Sequence, residues 1–324
     1  MKLTLLSADD VRQALPMREA IEAMKGAFAD YSSGRATVPQ RMSVGVPESG
    51  GTVLLKPALT PTGVGAKLVS FFPGNRARGK PVVTGIVVLL DRESGEPQAL
   101  LDGTFVTAWR TGAASGAATD LLASKGVGTA ALLGCGAQAE TQALAIDTAR
   151  RLETIRIYAR TPAAVERFIA AMQPRLKARL VAAPSSDDAI DGAGLICAAT
   201  TSSTPVFDGR KLSAGVHVNG IGSFTKEMQE VDLATVERSR IFVDSRESAA
   251  AEAGELVVAI RAGRTRPEDW TELGEVVEGS RPGRASDSEL TFFKSVGLAV
   301  QDVAACARVL DNARNLGLGS VVEL

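Results

Sequence analysis

The chain has 324 residues, of which 45% are hydrophobic and 23% charged, with a formal net charge of −1. Such a length suits two domains. A near-neutral balance without a basic block argues against nucleic acid, whose phosphates call for a concentrated cationic surface. Acids at Asp9 and Asp10 come too early for a secretory signal. The longest apolar run, Val82 to Leu90, is well short of the roughly 20 residues a spanning helix needs. Cys135, Cys197 and Cys306 are odd in number and lie among apolar neighbours, which fits reduced thiols in a cytoplasmic protein. His217 is the single histidine, so a His-rich metal site is excluded. Its setting, Val216-His217-Val218-Asn219, alternates like a strand and favours a hydrogen-bonded core histidine.

In chain order, Ser7 with Asp10 forms a capping-box pattern, and Pro16 opens a second helix. Met17, Ile21, Met24, Phe28 and Tyr31 recur at helical spacing as far as Gly34. Strand-like runs follow at Met42 to Val46, Thr52 to Leu55, Val64 to Phe72, Val83 to Asp91 and Gln98 to Leu101. Thr104 to Ala123 reads as a helix of small residues. Beyond Gly126 the pattern changes to strand, helix, strand, helix. Strands are expected at Thr129 to Leu133, Ile155 to Tyr158, Leu195 to Ala198, Val216 to Ile221 and Ile241 to Asp244. Helices are expected at Gln138 to Arg150 and Pro162 to Met172. This alternation predicts a parallel sheet covered on both faces. A last helix, Val296 to Arg314, with Val300, Val303, Ala304, Ala307 and Leu310 on one face, is expected to return to the first domain. The fold class is therefore α/β: a Rossmann dinucleotide-binding domain over 114–295, and a discontinuous α+β substrate and dimerisation domain from 1–113 and 296–324.

The strongest local signal is Leu133-Gly134-Cys135-Gly136-Ala137-Gln138-Ala139, a G-x-G-x-x-A run between an apolar strand and a helix. Gly134 serves the tight turn, Gly136 lets the backbone approach a pyrophosphate, and Ala139 permits close helix–strand packing. The following helix N-terminus offers unpaired amides to the phosphates. After the second strand, an NAD-preferring site usually places an acid against the ribose 2′-hydroxyl. Here Ala159 is followed by Arg160 and Thr161, a cation and a hydroxyl, which favours NADP(H) and leaves NAD(H) open.

Three cations interrupt apolar surroundings: Arg41 before a strand, Lys67 inside one, and Arg110 within the small-residue helix. Buried cations are costly unless paired, and a converging set of them suits a carboxylate ligand. The order Pro39-Gln40-Arg41, Gly65-Ala66-Lys67, Thr84-Gly85, Trp109-Arg110-Thr111-Gly112, the glycine loop, Val218-Asn219-Gly220-Ile221-Gly222 and Lys294-Ser295-Val296-Gly297 resembles the ornithine cyclodeaminase/μ-crystallin family over essentially the whole chain.

That resemblance implies a homodimer built through the first domain, and Arg41, Lys67 and Arg110 facing a substrate carboxylate. It also implies Thr84, Ala137, Gln138 and Thr200 against the cofactor, together with Arg110 and Gly297, and Ile221 to Phe224 beside the nicotinamide. The family's cyclodeaminases and alanine dehydrogenases carry an Asp after the Asn-x-x-Gly turn, where this chain has Phe224, which cannot accept a proton or hold an ammonium group. A cyclic imino acid needs no such group. The expected activity is thus NAD(P)H-dependent reduction of a cyclic ketimine acid, Δ1-pyrroline-2-carboxylate to L-proline, with Δ1-piperideine-2-carboxylate as a further substrate. Lys67 is the candidate proton donor. Ornithine cyclodeamination, alanine dehydrogenation and a cofactor-loaded binding protein of μ-crystallin type are the rivals. In the cyclodeamination case, Glu227 or Glu230 would have to replace the missing carboxylate.

Overall fold

The computed structural model describes residues 1–323, the side chain of Arg76 excepted. In chain order the elements are β1 (Lys2–Leu6), α1 (Ala8–Ala14), α2 (Met17–Ser32), β2 (Met42–Val46), β3 (Gly51–Thr60), β4 (Gly63–Phe71), β5 (Val83–Leu90), β6 (Pro97–Asp102) and α3 (Gly103–Leu122). There follow β7 (Thr129–Leu133), α4 (Ala139–Ala149), β8 (Thr154–Tyr158), α5 (Pro162–Met172), β9 (Arg179–Ala182), α6 (Ser186–Ile190), β10 (Leu195–Ala198), β11 (His217–Gly220) and α7 (Leu233–Arg238). The remainder is β12 (Ser239–Val243), α8 (Arg246–Glu252), α9 (Gly254–Arg261), β13 (Thr271–Glu272), α10 (Leu273–Val277), β14 (Leu290–Lys294), α11 (Ala299–Leu316) and β15 (Ser320–Glu323).

The chain divides into two compact units. One comprises Met1–Arg110 and the residues from Leu298 onward; the other is Thr111–Gly297. The divisions fall at Arg110 and Gly297, against 113 and 295 in the sequence reading.

The first unit is built on a mixed sheet in the order β15-β1-β6-β5-β4-β3-β2, in which β1 and β6 run parallel and the other pairs antiparallel. α11 lies across β3, β4 and β5, and also packs on α1 and α2. The alternation of β4 follows from that packing: Gly63, Gly65, Lys67 and Val69 are buried, while Leu68 on the other face is exposed. The capping box at Ser7 and Asp10 forms as expected. The α2 positions Met17, Ile21, Met24 and Phe28 are all buried.

β3 extends to Thr60, beyond the expected end at Leu55. Lys56-Pro57 looks like a strand terminator, but β2 pairs only as far as Met42 with Leu55. Pairing on that side resumes only at the Thr37–Leu59 bridge, and Pro57 falls in the gap between, where a proline's missing donor is tolerated. The buried side of α11 is also broader than the expected stripe. Ala305, Cys306 and Val309 are buried with Val300, Val303, Ala307 and Leu310, whereas Ala304 is half-buried.

The second unit holds an all-parallel sheet in the order β13-β12-β14-β11-β10-β7-β8-β9. The chain runs outward from β7 through β8 to β9, then resumes on the other side of β7 with β10 and β11. That reversal is the Rossmann-type switch point, at which the C-terminal ends of β7 and β10 diverge. β14, which the sequence reading missed, sits between β11 and β12 and is buried along its whole length. Two clusters form the core, one on each face of the sheet: Ala130, Leu132, Ile146, Ile155 and Phe168 in one, Leu133, Val218, Trp270 and Phe292 in the other. No helix among the described residues is long and apolar enough to cross a membrane.

Candidate active site

In the first unit, two of the three predicted cations meet on one carboxylate. Lys67 Nζ lies 2.7 Å from Asp302 Oδ1 and donates to Thr107 Oγ1 at 3.0 Å. Arg110 Nε donates to the same Asp302 oxygen at 2.9 Å, and its Nη1 donates to Gln301 Oε1 at 3.0 Å. Lys67, Arg110 and Asp302 are 2%, 5% and 0% exposed. Lys56, which the sequence reading passed over, is directly opposite Lys67 in the β3–β4 ladder and is also buried. Because Met42 pairs with Leu55, Arg41 stands one step beyond β2, beside Lys56 and half-buried. Lys56 and Lys67 thus stand side by side on the face of the sheet that α11 covers, with Arg41 one residue before β2.

Like charges placed opposite one another repel, and taking them out of water adds to the cost. Burial lowers the Lys67 pKa to about 7, with Asp302 opposing and Arg110 and Lys56 reinforcing the shift. Burial pushes Asp302 upward, but Lys67, Arg110 and Lys56 outweigh it and hold the carboxyl at about 2. Asp302 is therefore held as an anion, and Lys67 gives up its proton more readily than an ordinary lysine. A general acid needs that property, and converging cations also suit an anionic ligand.

Thr84 is placed differently. It pairs with Ser70 across β4 and β5, with their hydroxyls 2.9 Å apart, on the face of the sheet opposite Lys67. The structure does not bring it together with the cation cluster.

In the second unit, the glycine loop has the geometry a dinucleotide requires. Gly134 adopts φ of +110°, and a β-carbon there would stand 2.5 Å from the Ala199 carbonyl oxygen. Gly136 and Ala137 are exposed, and a β-carbon on Gly136 would meet nothing within 4 Å. Gln138 occupies the N-cap of α4 without a side-chain cap bond, so the first amides of that helix are not capped by it. Ala139 is fully buried, as its packing role demands. These residues fit a pyrophosphate: an uncapped helix N-terminus supplies donors, and open space stands over the second glycine.

Arg160 is exposed and forms no ion pair among the described residues. Thr161 is the N-cap residue of α5, yet its hydroxyl makes no cap bond, so both side chains remain available to a ligand.

The loops after β10 and β11 are tied together by Glu230, which is fully buried. Its Oε1 accepts from the Thr200 amide at 2.6 Å and the Thr200 hydroxyl at 2.9 Å. Its Oε2 accepts from the amides of Gly222 at 2.5 Å and Ser223 at 3.3 Å. With both oxygens engaged in holding backbone, Glu230 is not free to replace a catalytic carboxylate. Ile221 is buried, whereas Phe224 is 39% exposed and Glu227 is exposed. Gly297, with φ of +84°, donates its amide to buried Asp244 at 2.7 Å, as Val296 does at 2.9 Å.

His217 is a core residue, bonded to Thr291 at 2.8 Å and Asn219 at 3.2 Å, and burial lowers its pKa to about 3. All three cysteines are free. No group of three or more His, Cys, Asp or Glu able to hold a metal occurs among the described residues.

Sequence reasoning missed Asp302 and Lys56, and it named Glu230 only as a substitute carboxylate, not as the clasp between two loops. An acid in the first turn of a helix reads as a favourable dipole contact, so Asp302 carried no signal beyond the need of the cations for a partner.

Comparison with known proteins bears on the whole chain. The model of the ornithine cyclodeaminase/mu-crystallin family matches residues 1–317. A Δ1-pyrroline-2-carboxylate reductase of Bacillus cereus is 37% identical over 325 residues, covering 99% of this chain and 100% of its own. Alanine dehydrogenase of Archaeoglobus fulgidus is 32% identical over 324 residues, covering 100% and 99%. The structure of Thermococcus litoralis Δ1-pyrroline-2-carboxylate reductase in complex with NADH and L-proline matches with a TM-score of 0.93 at 34% identity, covering 98% of this chain and 99% of that one. With the cation cluster on one unit and the dinucleotide loop on the other, this chain belongs to the ornithine cyclodeaminase/mu-crystallin family.

Proposed function

We propose that this protein is an NAD(P)H-dependent oxidoreductase that reduces the C=N bond of a cyclic ketimine acid, Δ1-pyrroline-2-carboxylate to L-proline, with the six-membered Δ1-piperideine-2-carboxylate as a further substrate. The observation that carries the reading is the buried Lys67–Asp302–Arg110 cluster. Arg110, with Arg41 and Lys56, holds the substrate carboxylate. Lys67 supplies a proton to the ring nitrogen, which makes the imine carbon electrophilic. Bound nicotinamide dinucleotide supplies the hydride for that carbon. Gly134, Gly136, Ala137 and Gln138 hold the pyrophosphate, while Thr200, Ile221 and Gly297 belong to the loops that line the rest of the cofactor site. Exposed Arg160 and the unengaged Thr161 hydroxyl favour NADPH over NADH, since they offer a 2′-phosphate a charge-assisted contact.

The family relatives include reductases and an alanine dehydrogenase. Phe224 tips the choice. An apolar ring there leaves the ammonium group of an acyclic amino acid without a counter-charge, whereas a cyclic imino acid meets it with methylenes. A homodimer fits the outer face of the first unit's sheet, where Met42, Val44, Leu55, Leu68 and Ile86 are exposed on strands. Such a patch is what a second copy would cover.

The test is oxidation of NADPH and NADH with Δ1-pyrroline-2-carboxylate, set beside ammonia release from L-ornithine with NAD⁺ or NADP⁺. Turnover of the imino acid and no ammonia is the expected result. Robust proline formation from ornithine would overturn the reading, and tight cofactor binding without turnover of any imino acid would favour a binding protein.

A further inference from the structure

Asp302 binds two cations through one oxygen. Its Oδ1 accepts from Lys67 Nζ and Arg110 Nε, while its Oδ2 is buried without a hydrogen-bond partner. The neighbouring Gln301 Oε1 takes Arg110 Nη1 at 3.0 Å and the Leu298 amide at 3.0 Å. The guanidinium is thus held at two of its three nitrogens by the first turn of α11. Nη2 makes no hydrogen bond among the described residues and is left for a ligand. A guanidinium held in this way presents its remaining donors at a set angle, which a mobile one does not.

The polar and charged groups facing Lys67 come from three elements. They are Asp302 and Cys306 of α11, Thr107 and Arg110 of α3, and Lys56 of β3. From β5, the residue opposite Lys67 is Val87, which carries no charge. Asp302 is therefore the anion in direct contact with Lys67, set against two cations.

Resting on the reductase reading, we infer that Asp302 is a positioning residue for the reduction. It holds the Lys67 ammonium and the Arg110 fork at a fixed spacing, and it keeps Lys67 protonated and ready to serve the ring nitrogen. Lys67 gives up one proton per turnover, and the nitrogen that receives it retains it in the amine product. Asp302 neither gains nor loses a proton. Its charge favours the protonated form of Lys67, so its removal changes the pH at which the enzyme works.

The experiment is Asp302→Asn in the full-length protein, with kcat and KM for Δ1-pyrroline-2-carboxylate followed against pH and the NADPH dissociation constant measured by fluorescence. Losing the anion removes the influence that raises the Lys67 pKa. The alkaline limb of kcat is therefore expected to move to lower pH by about one unit or more, with kcat at neutral pH down about tenfold or more. NADPH affinity stays within about twofold, because the dinucleotide loop is untouched. An unchanged pH profile, or a loss of rate equal at every pH, would overturn the inference.

If the Asn variant does not fold, Asp302→Glu decides. It keeps the charge and moves it, so the alkaline limb should stay in place while kcat falls and KM rises. Wild-type constants in that variant would overturn the positioning role. A wild-type protein inactive on every imino acid would instead remove the reductase reading, and the inference with it.

Discussion

Two glycines two residues apart in the dinucleotide loop should respond to alanine in opposite ways. At Gly134 the φ of +110° is one that an L-residue rarely adopts, and the new methyl would sit 2.5 Å from the Ala199 carbonyl oxygen and 3.1 Å from Thr200 Cγ2. Backbone strain of this kind costs about 1–3 kcal/mol. Forced overpacking adds about 1–3 kcal/mol more. Gly134→Ala should therefore lose about 2–6 kcal/mol of stability, a large part of what an ordinary domain has. At Gly136 a β-carbon meets nothing within 4 Å and φ is not positive. Gly136→Ala should leave stability within about 0.5 kcal/mol of wild type. It should nevertheless weaken NADPH about tenfold or more, because the methyl fills the space a pyrophosphate needs. Urea unfolding without cofactor, followed by the fluorescence of Trp270 in a Trp109→Phe background, measures the first quantity; NADPH titration measures the second. A Gly136→Ala protein with wild-type affinity would refute the placing of the phosphates over that glycine. A Gly134→Ala protein as stable as wild type would refute the tight turn.

Three further outcomes are expected. Arg160→Asp should weaken NADPH far more than NADH, by about a few kcal/mol at most, and equal losses for both would mean that Arg160 does not contact the 2′-phosphate. If Lys67 supplies the proton, Lys67→Met should lower kcat by roughly 10²-fold, whereas Arg110→Lys should act chiefly on KM; a Lys67→Met enzyme with normal kcat and raised KM would leave that lysine only a carboxylate clamp. His217 should make the fold acid-sensitive. Burial first, then Arg284, hold its pKa down to about 3 against the pull of Asn219. An unfolded histidine protonates near 6.5, so between about pH 6.5 and 3 the unfolded chain carries the extra proton, and stability falls with falling pH by up to ~1.4 kcal/mol per unit. Urea midpoints taken down that range should show a shallower slope for His217→Gln, and an unchanged slope would count against the assignment.

What could be read from the residues was what neighbouring residues decide among themselves. The glycine loop announces itself because strand, turn and helix are contiguous in the chain, and each glycine has a local steric task. Lys67 stood out because its strand neighbours are apolar. Contributions from distant parts of the chain left no such trace. β14 is buried on both faces, so Leu290-Thr291-Phe292-Phe293-Lys294 shows no alternation. Glu230 looks like one more acid in a polar loop until the amides of Thr200, Gly222 and Ser223 are seen converging on it. Asp302 is separated from Arg110 by 192 positions and from Lys67 by 235, and nothing local marks it as their partner.

Those separations also bear on how the molecule is made. The second unit is an uninterrupted stretch of chain, Thr111–Gly297, whereas the first needs α11 and β15, which leave the ribosome after that stretch. During synthesis the strand bearing Lys67 and the helix bearing Arg110 exist for a long interval before the carboxylate that binds both. Charged groups without a counter-ion stay in water, so the face that α11 will cover has to remain hydrated through that interval. The second unit can complete itself meanwhile as an independent fold. A polypeptide arrested before α11 would carry a finished nucleotide-binding half joined to an open, cation-rich sheet, a species that chaperones would hold and proteases would recognise.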